Sequence, residues 1–326
     1  MTMRNKSKFI LPFFLIIFLC CCAETNEEQK EIVNKDSDII EIEDNIESSD
    51  VSETEEPVDE SQEAETKASI DESQELETLR FVDALGEWFE ATINPNIEKH
   101  DYKWECLTRE GDEVTYIGDQ RYYIKKGVDV SHHQGDIDWN KVKADGYDFA
   151  IVRIAYRGYG ITTRDLYSDR EYYNNIIEAQ EAGLDVGVYV FSQAINEEEA
   201  LEEAELVIDS LEGLELQLPV VFDPELIRDD TARTDDVTGE QFTKNTIAFC
   251  ERIKEAGYVP MIYSNMYWEA FLFDLEQLSE YAIWYADYEK IPQTPYDFTF
   301  WQYSESGTVD GIQGVTDLNV WFIPYE

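Results

Sequence analysis

From residue 126 to the end, the chain alternates between short apolar segments and amphipathic ones, a rhythm few architectures accept. "KKGVDVS" reads as a strand that stops near Asp129, and "DWNKVKADG" reads as a helix opened by Asp138 and closed by Gly146. "DFAIVRIAY" is a second strand, "DREYYNNIIEAQEAG" a helix, and "DVGVYVFS" a third strand. "NEEEALEEAELVIDSLEG" is a long helix that Asn196 can cap, with Glu197 to Glu199 suited to its positive N-terminal end. "LPVVFDPE" follows as a fourth strand, "TGEQFTKNTIAFCERIKEAG" as a helix with a capping-box pattern at Thr238 and Gln241, and "YVPMIYS" as a fifth strand. Beyond it the helices fade, and "YAIWYADY", "DFTFWQYS" and "VTDLNVWF" read as strands joined by short links. Strand–helix alternation predicts a parallel sheet. Eight strands in roughly 200 residues favour a closed barrel over an open doubly wound sheet, and no GxGxxG or P-loop motif supports the open form.

The strand ends share a character: Asp129, Tyr156, Phe191 with Gln193, Asp223 with Glu225, Tyr263 with Asn265, Trp284 with Asp287, Gln302, and Asp317 with Asn319. In a closed barrel these ends converge on one face, the face that carries active sites. As loop polar groups any one of them is ordinary; the set is not.

Asp223 and Glu225 stand two residues apart on one strand, on the same side and roughly 7 Å apart along the chain. Pro224 between them has no N–H and suits a strand terminus. Two close carboxyls resist joint ionisation, so one tends to hold its proton. A protonated acid beside an ionised one is the equipment of glycosidic bond cleavage. Asp129 and Asp317, on the first and last strands, become neighbours when the barrel closes. Tyr156, Tyr189, Trp284, Tyr285 and Trp301 offer flat surfaces for sugar rings. Two other readings stay open on the residues alone: solvated acids after a strand, and an oxygen-rich metal site using His132 and His133.

The N-terminal third differs in character. Residues 1–22 read as a signal segment: Arg4, Lys6 and Lys8, then "FILPFFLIIFL", then "CCC". "LCCC" resembles a bacterial lipobox, with Leu19 three places before Cys22 as the lipidated residue; Cys21 is the alternative. Residues 24–77 hold 22 Asp and Glu against three Lys and no aromatic residue. Residues 23–77 are therefore expected to be a disordered acidic linker. The formal net charge of −47 argues against nucleic acid or anionic lipid surfaces as partners. Cys106 and Cys250 are expected as buried free thiols, and no CxxC or Cys/His metal spacing occurs. Residues 78–125 read as a small ordered extension, a hairpin packed against the barrel or a wall-binding module.

"KGVDVSHHQGDIDWNKVKADGYDFAIVRIAYRGYG", with "GVYVFSQAINEEEALEEAE", "PVVFDPE", "MIYSNMYW", "IWYADY" and "FWQYSESGTVDGIQGVTDLNVWF" in that order, resembles glycoside hydrolase family 25 over residues 126–326. The resemblance implies an α/β fold, a (β/α)5β3 TIM-like barrel. It implies a lysozyme-type N-acetylmuramidase that hydrolyses the β-1,4 bond between N-acetylmuramic acid and N-acetylglucosamine. By the same resemblance Glu225 is the proton donor, Asp223 its charge-stabilising partner, and Asp129 and Asp317 orient substrate and hold the pair's protonation. Arg153, Tyr156, Tyr189, Phe191, Tyr263, Trp284, Asp287 and Gln302 are the substrate-binding residues expected. Pro224 and Val190 depart from the tryptophan and histidine common there, while every required acid is present. No metal or organic cofactor is implied. The partners expected are peptidoglycan glycan strands and, through a lipid anchor, the outer face of a bacterial membrane, with the protein a monomer. The competing functions are a non-catalytic glycan-binding protein and a metal-dependent phosphodiesterase on a similar barrel.

Overall fold

Two antiparallel hairpins precede the alternating region. β1 (Thr78–Val82) pairs with β2 (Trp88–Thr92), and β3 (Leu107–Glu110) with β4 (Glu113–Tyr116). The computed structural model describes residues 77–228 and 230–325, all within the unit Gln74–Glu326. The expected signal segment, the Cys22 lipobox and all but the last residue of the acidic linker lie outside the described residues.

The order then runs β5 (Tyr122–Val130), α1 (Trp139–Ala144), β6 (Phe149–Arg157), β7 (Leu166–Ser168), α2 (Tyr172–Glu181), β8 (Asp185–Ser192) and α3 (Glu197–Ser210). It continues through β9 (Val220–Pro224), α4 (Gly239–Glu255), β10 (Pro260–Ser264), α5 (Met266–Phe271), α6 (Leu275–Leu278), β11 (Ala282–Ala286), β12 (Phe300–Gly307) and β13 (Thr316–Pro324). The sheet order β5-β13-β12-β11-β10-β9-β8-β6 closes through β5–β6 into an eight-strand barrel. Its pairs are parallel from β5 through β12, while β13 runs antiparallel to both of its neighbours.

The helix starts follow local chemistry. The side chains of Asp138, Asn196, Thr238 and Asn265 each accept from backbone N–H groups of the first turn. The box at Thr238 is only half made: Gln241 turns its amide to Glu197 and Asn245 instead of back to the cap. Where the sequence reading had the helices fade, α5 and α6 remain as short pieces. β7, absent from that reading, is a three-residue strand in a polar stretch, added antiparallel to the end of β6.

Strand alternation divides the apolar residues into two cores. Phe149, Ile151, Val221, Met261, Trp284 and Phe300 fill the barrel interior; Val128, Val152, Val190 and Phe222 face outward, with Ile176, Val207 and Phe249 from the helices. Gly127 belongs to the inner set. A Cβ there would lie 2.3 Å from the Phe149 ring, so glycine is what admits that ring. No helix joins β11 to β12 or β12 to β13. Tyr102 and Trp104 of the extension pack here instead, on Phe298 and Phe322. Cys250 is buried and Cys106 half-buried, both as free thiols.

Candidate active site

The acids that end the strands sit at the mouth of the barrel because inward positions continue the interior core one step further. On β9, Val221 faces inward, Phe222 outward and Asp223 inward again. Pro224 closes the strand, so Glu225 is the first residue beyond it rather than part of it. Its backbone carbonyl accepts from Gln193 Nε2 at 2.7 Å, and Gln193 Oε1 accepts from Thr234 Oγ1 at 2.9 Å. On β5 and β13, Asp129 and Asp317 are direct cross-strand partners.

Asp129 is 4% exposed and held by two amides. Gln302 Nε2 donates to its Oδ2 at 2.9 Å and Asn319 Nδ2 at 2.7 Å. Each amide is itself oriented. Gln302 Oε1 accepts from the Tyr263 and Tyr288 hydroxyls, both at 2.9 Å, and Asn319 Oδ1 accepts from Trp284 Nε1 at 2.8 Å. Four strands and one loop thus converge on the carboxylate that β5 carries. Asp223 is 5% exposed, and its Oδ1 has no hydrogen-bond partner among the described residues. A buried acceptor left open is uncommon and costs free energy unless a ligand fills it.

Burial sets the protonation of the cluster. Desolvation, then the charges of Glu225 and Asp129, holds Asp223 well above the usual carboxyl range, with Arg153 opposing. Desolvation pushes Glu225 up to about 7, helped by Asp129 and Glu305 and opposed by Arg153. Asp317 is raised by desolvation, by the charge of Asp129 and by a hydrogen bond to it. Desolvation also raises Asp129, while its bonds from Asn319, Gln302 and Asp317 pull the other way. Burial thus favours the protonated form of each carboxyl in the group, with Asp129 the member best provided with donors.

The other expected residues fall into two groups. Tyr263, Trp284 and Gln302 belong to the network above, and Tyr189 lies edge-on to Trp284 at 6.0 Å between ring centres. Phe191 is the β8 partner of Asp223. Arg153, 2% exposed, bonds to Asp169 through Nε (3.0 Å) and Nη2 (2.9 Å), and its guanidinium lies 4.9 Å from the centre of the Tyr156 ring. Asp287 serves the fold: its carboxylate accepts from the Glu289 and Gln293 backbone N–H groups, the Gln293 amide and the Tyr285 hydroxyl. It thereby shapes its own loop.

His132 Nδ1 lies 2.9 Å from Asp169 Oδ2 and 2.7 Å from Arg153 Nη2. Among the described residues no group of three His, Cys, Asp or Glu is arranged to hold a metal ion. Tyr288, Asp169 and the roles of Asn319 and Gln193 were not read from the sequence. Asn319 and Gln193 carried the strand-end signal; Tyr288 closes the segment read as a strand and Asp169 opens the one read as a helix, and the structure places each just outside that element.

The model for glycosyl hydrolases family 25 matches residues 128–312. An autolytic lysozyme of Clostridium acetobutylicum is 27% identical over 197 residues, 60% of this chain and 55% of that protein. Lysozyme M1 of Streptomyces globisporus is 26% identical over 215 residues, 60% of this chain and 66% of that one. The chain therefore spans less than two thirds of the length of either relative. A family 25 glycosyl hydrolase structure from Bacillus anthracis superposes with a TM-score of 0.50 at 26% identity, covering 60% of this chain and 88% of that one. The modular autolysin LytC of Streptococcus pneumoniae, solved in complex with a synthetic peptidoglycan ligand, shares the fold at a TM-score of 0.54 and 24% identity, over 74% of this chain and 56% of that one.

Proposed function

This chain belongs to glycosyl hydrolases family 25, and from that premise we propose that it is a muramidase that hydrolyses the β-1,4 bond between N-acetylmuramic acid and N-acetylglucosamine in peptidoglycan. The observation that carries the proposal is the pairing of Glu225, which holds its proton to about pH 7, with Asp223, whose buried Oδ1 is open to a ligand.

Glu225 donates its proton to the glycosidic oxygen as the bond to the sugar breaks. Positive charge then develops on the sugar ring or on a cyclised acetamido group, and Asp223 answers it at close range. Burial disfavours the charged form of Asp223, but a positive charge at close range favours it, with Asp129 and Asp317 as acceptors for the proton it gives up. Water then adds to the sugar carbon and returns a proton to the Glu225 carboxylate, which restores the acid. Half-buried Tyr189 supplies apolar surface for a sugar ring, while the buried Trp284 and Tyr263 brace the acid network beneath it. No step needs a metal.

The test is release of new reducing ends from purified peptidoglycan. Release that persists in EDTA supports the muramidase. Loss in EDTA with recovery on adding a divalent ion favours the phosphodiesterase. Binding without release makes the chain a glycan-binding protein.

We further propose that the N-terminal segment is a lipobox-bearing signal, with Cys22 lipidated and residues 23–77 a spacer between membrane and enzyme. Its support is the basic start, the apolar run and Leu19 three places before Cys22. Cys22→Ser should release the protein from membranes; release by Cys21→Ser alone would move the site by one residue.

A further inference from the structure

Residues 77–121 lie outside the segment matched to the family, yet they grip one part of the barrel along its length. That part is the connection from β11 to β12, residues 287–299, which has no helix of its own. Gln293 makes a reciprocal pair with Val82: the Val82 N–H donates to Oε1 and Nε2 donates to the Val82 carbonyl, both at 2.9 Å. His100 N–H donates to the Pro295 carbonyl, Asp297 N–H to the Glu98 carbonyl, and the Tyr102 hydroxyl to the Phe298 carbonyl.

At the start of the connection Arg109, on β3, donates through Nη1 to the carbonyls of Tyr288 (3.1 Å) and Glu289 (2.8 Å). Its guanidinium lies 5.2 Å from the centre of the Tyr303 ring, so it is held on a second side. Tyr288 is the residue of this connection that reaches the acid cluster. Its hydroxyl and that of Tyr263 both donate to Gln302 Oε1. An amide oxygen with both lone pairs filled fixes which end of Gln302 meets Asp129, and that end is Nε2, at 2.9 Å.

We infer that Arg109 is a positioning residue for the acid cluster. It pins the backbone of Tyr288, which orients Gln302, which holds Asp129. The extension is thereby part of the catalytic unit and completes the side of the barrel that lacks helices. The rate effects rest on the muramidase reading; the link to Asp129 does not.

The experiment is a double-mutant cycle with Arg109→Ala and Tyr288→Phe, read in two ways. The first is kcat and KM on peptidoglycan fragments. Each single variant should lower kcat by about 3–10-fold, the rate equivalent of one ordinary hydrogen bond, with KM changed less. The double variant should be no worse than the poorer single. The second is the carboxyl titration of Asp129 followed by NMR. Asp129 is faced by Asp317 from β13, Asp223 and Glu225 at the end of β9, Tyr263 from β10 and Tyr288. The Gln302 bond lowers its pKa, so loosening that bond in either variant should move the titration upward, and Arg109→Lys should restore part of it. Independent, additive rate losses, or an Asp129 titration unmoved in Arg109→Ala, would overturn the inference. A wild type with no turnover refutes the muramidase reading and leaves the titration to decide the role of Arg109. If Arg109→Ala does not fold, Arg109→Lys against Tyr288→Phe gives the same comparison.

Discussion

Asp317 faces Asp129 as its direct partner across the antiparallel ladder of β13 and β5. Burial raises both carboxyls; the Asn319 and Gln302 amides favour the charged form of Asp129, and that charge raises Asp317 further. The charge left on Asp129 helps keep Glu225 protonated, after desolvation. A general acid works in its protonated form. The profile of kcat/KM should therefore fall on its alkaline side near pH 7. Glu305 adds to the same repulsion, so Glu305→Gln should let Glu225 ionise at lower pH and move the alkaline limb downward. A limb that stays in place or moves up would remove Glu225 from the acid role.

Glu225→Gln should keep the fold and lose turnover by about 10²–10⁴-fold, the usual contribution of a positioned general acid. Circular dichroism and reducing-end release from the same preparation check both halves. Near-normal turnover would transfer the acid role to another member of the cluster.

Asp223→Asn should abolish most turnover and stabilise the protein above neutral pH. The folded carboxyl is raised above its unfolded value. Its contribution is therefore full at acidic pH, below the unfolded value, and is lost as pH rises through the folded one. At neutral and alkaline pH the wild type carries the penalty of a buried acid that the unfolded chain would ionise, and asparagine removes it. A gain of about 0.5–2 kcal/mol is the usual size when a strained functional position is relaxed. Tm measured for both proteins should differ more at alkaline than at acidic pH; an equal difference at both would point to packing, not ionisation.

Tyr102→Ala should destabilise the barrel, although residue 102 precedes its first strand. It removes a stacked contact with Phe322, ring centres 4.2 Å apart, an edge contact with Phe298 and the bond to the Phe298 carbonyl. A loss of about 3 kcal/mol is expected for an aromatic ring packed this way. Tyr102→Phe keeps the rings and should lose about 1 kcal/mol. Urea unfolding midpoints give both numbers, and an unchanged midpoint for Tyr102→Ala would make the extension peripheral to stability.

The acidic excess predicts an unusual salt response. Bacterial walls are anionic, so long-range repulsion should slow encounter between wall and enzyme. Residues 78–326, freed of the preceding segment, should digest whole walls faster as salt rises from low to moderate, because repulsion is screened over a shorter distance. Short uncharged glycan fragments should show little change across the same series. Fastest wall digestion at the lowest salt would point instead to a local basic patch.

The sequence by itself determined the eight barrel strands, the helices up to α4 and their order, though not β7 or the short α5 and α6. The strand segments, the caps at Asp138, Asn196 and Thr238, and the pairing of Asp223 with Glu225 two residues apart are all local, because alternation and capping are decided within a few residues. Only the tertiary structure decided which side chains meet. Asp129 acquires Asp317, Gln302 and Asn319 through barrel closure, whose register is set by how distant strands pack. Asp287, at a strand end like the others, spends its carboxylate on its own loop because Tyr285 and Gln293 reach it there. The sequence suggested one hairpin or a wall-binding module in residues 78–125; that there are two hairpins, and that this segment sits against the 287–299 connection, came from the tertiary structure. A hydrogen bond such as that from Arg109 to the Tyr288 carbonyl depends on where the folded backbone carries each group, and no local pattern in the chain encodes that meeting.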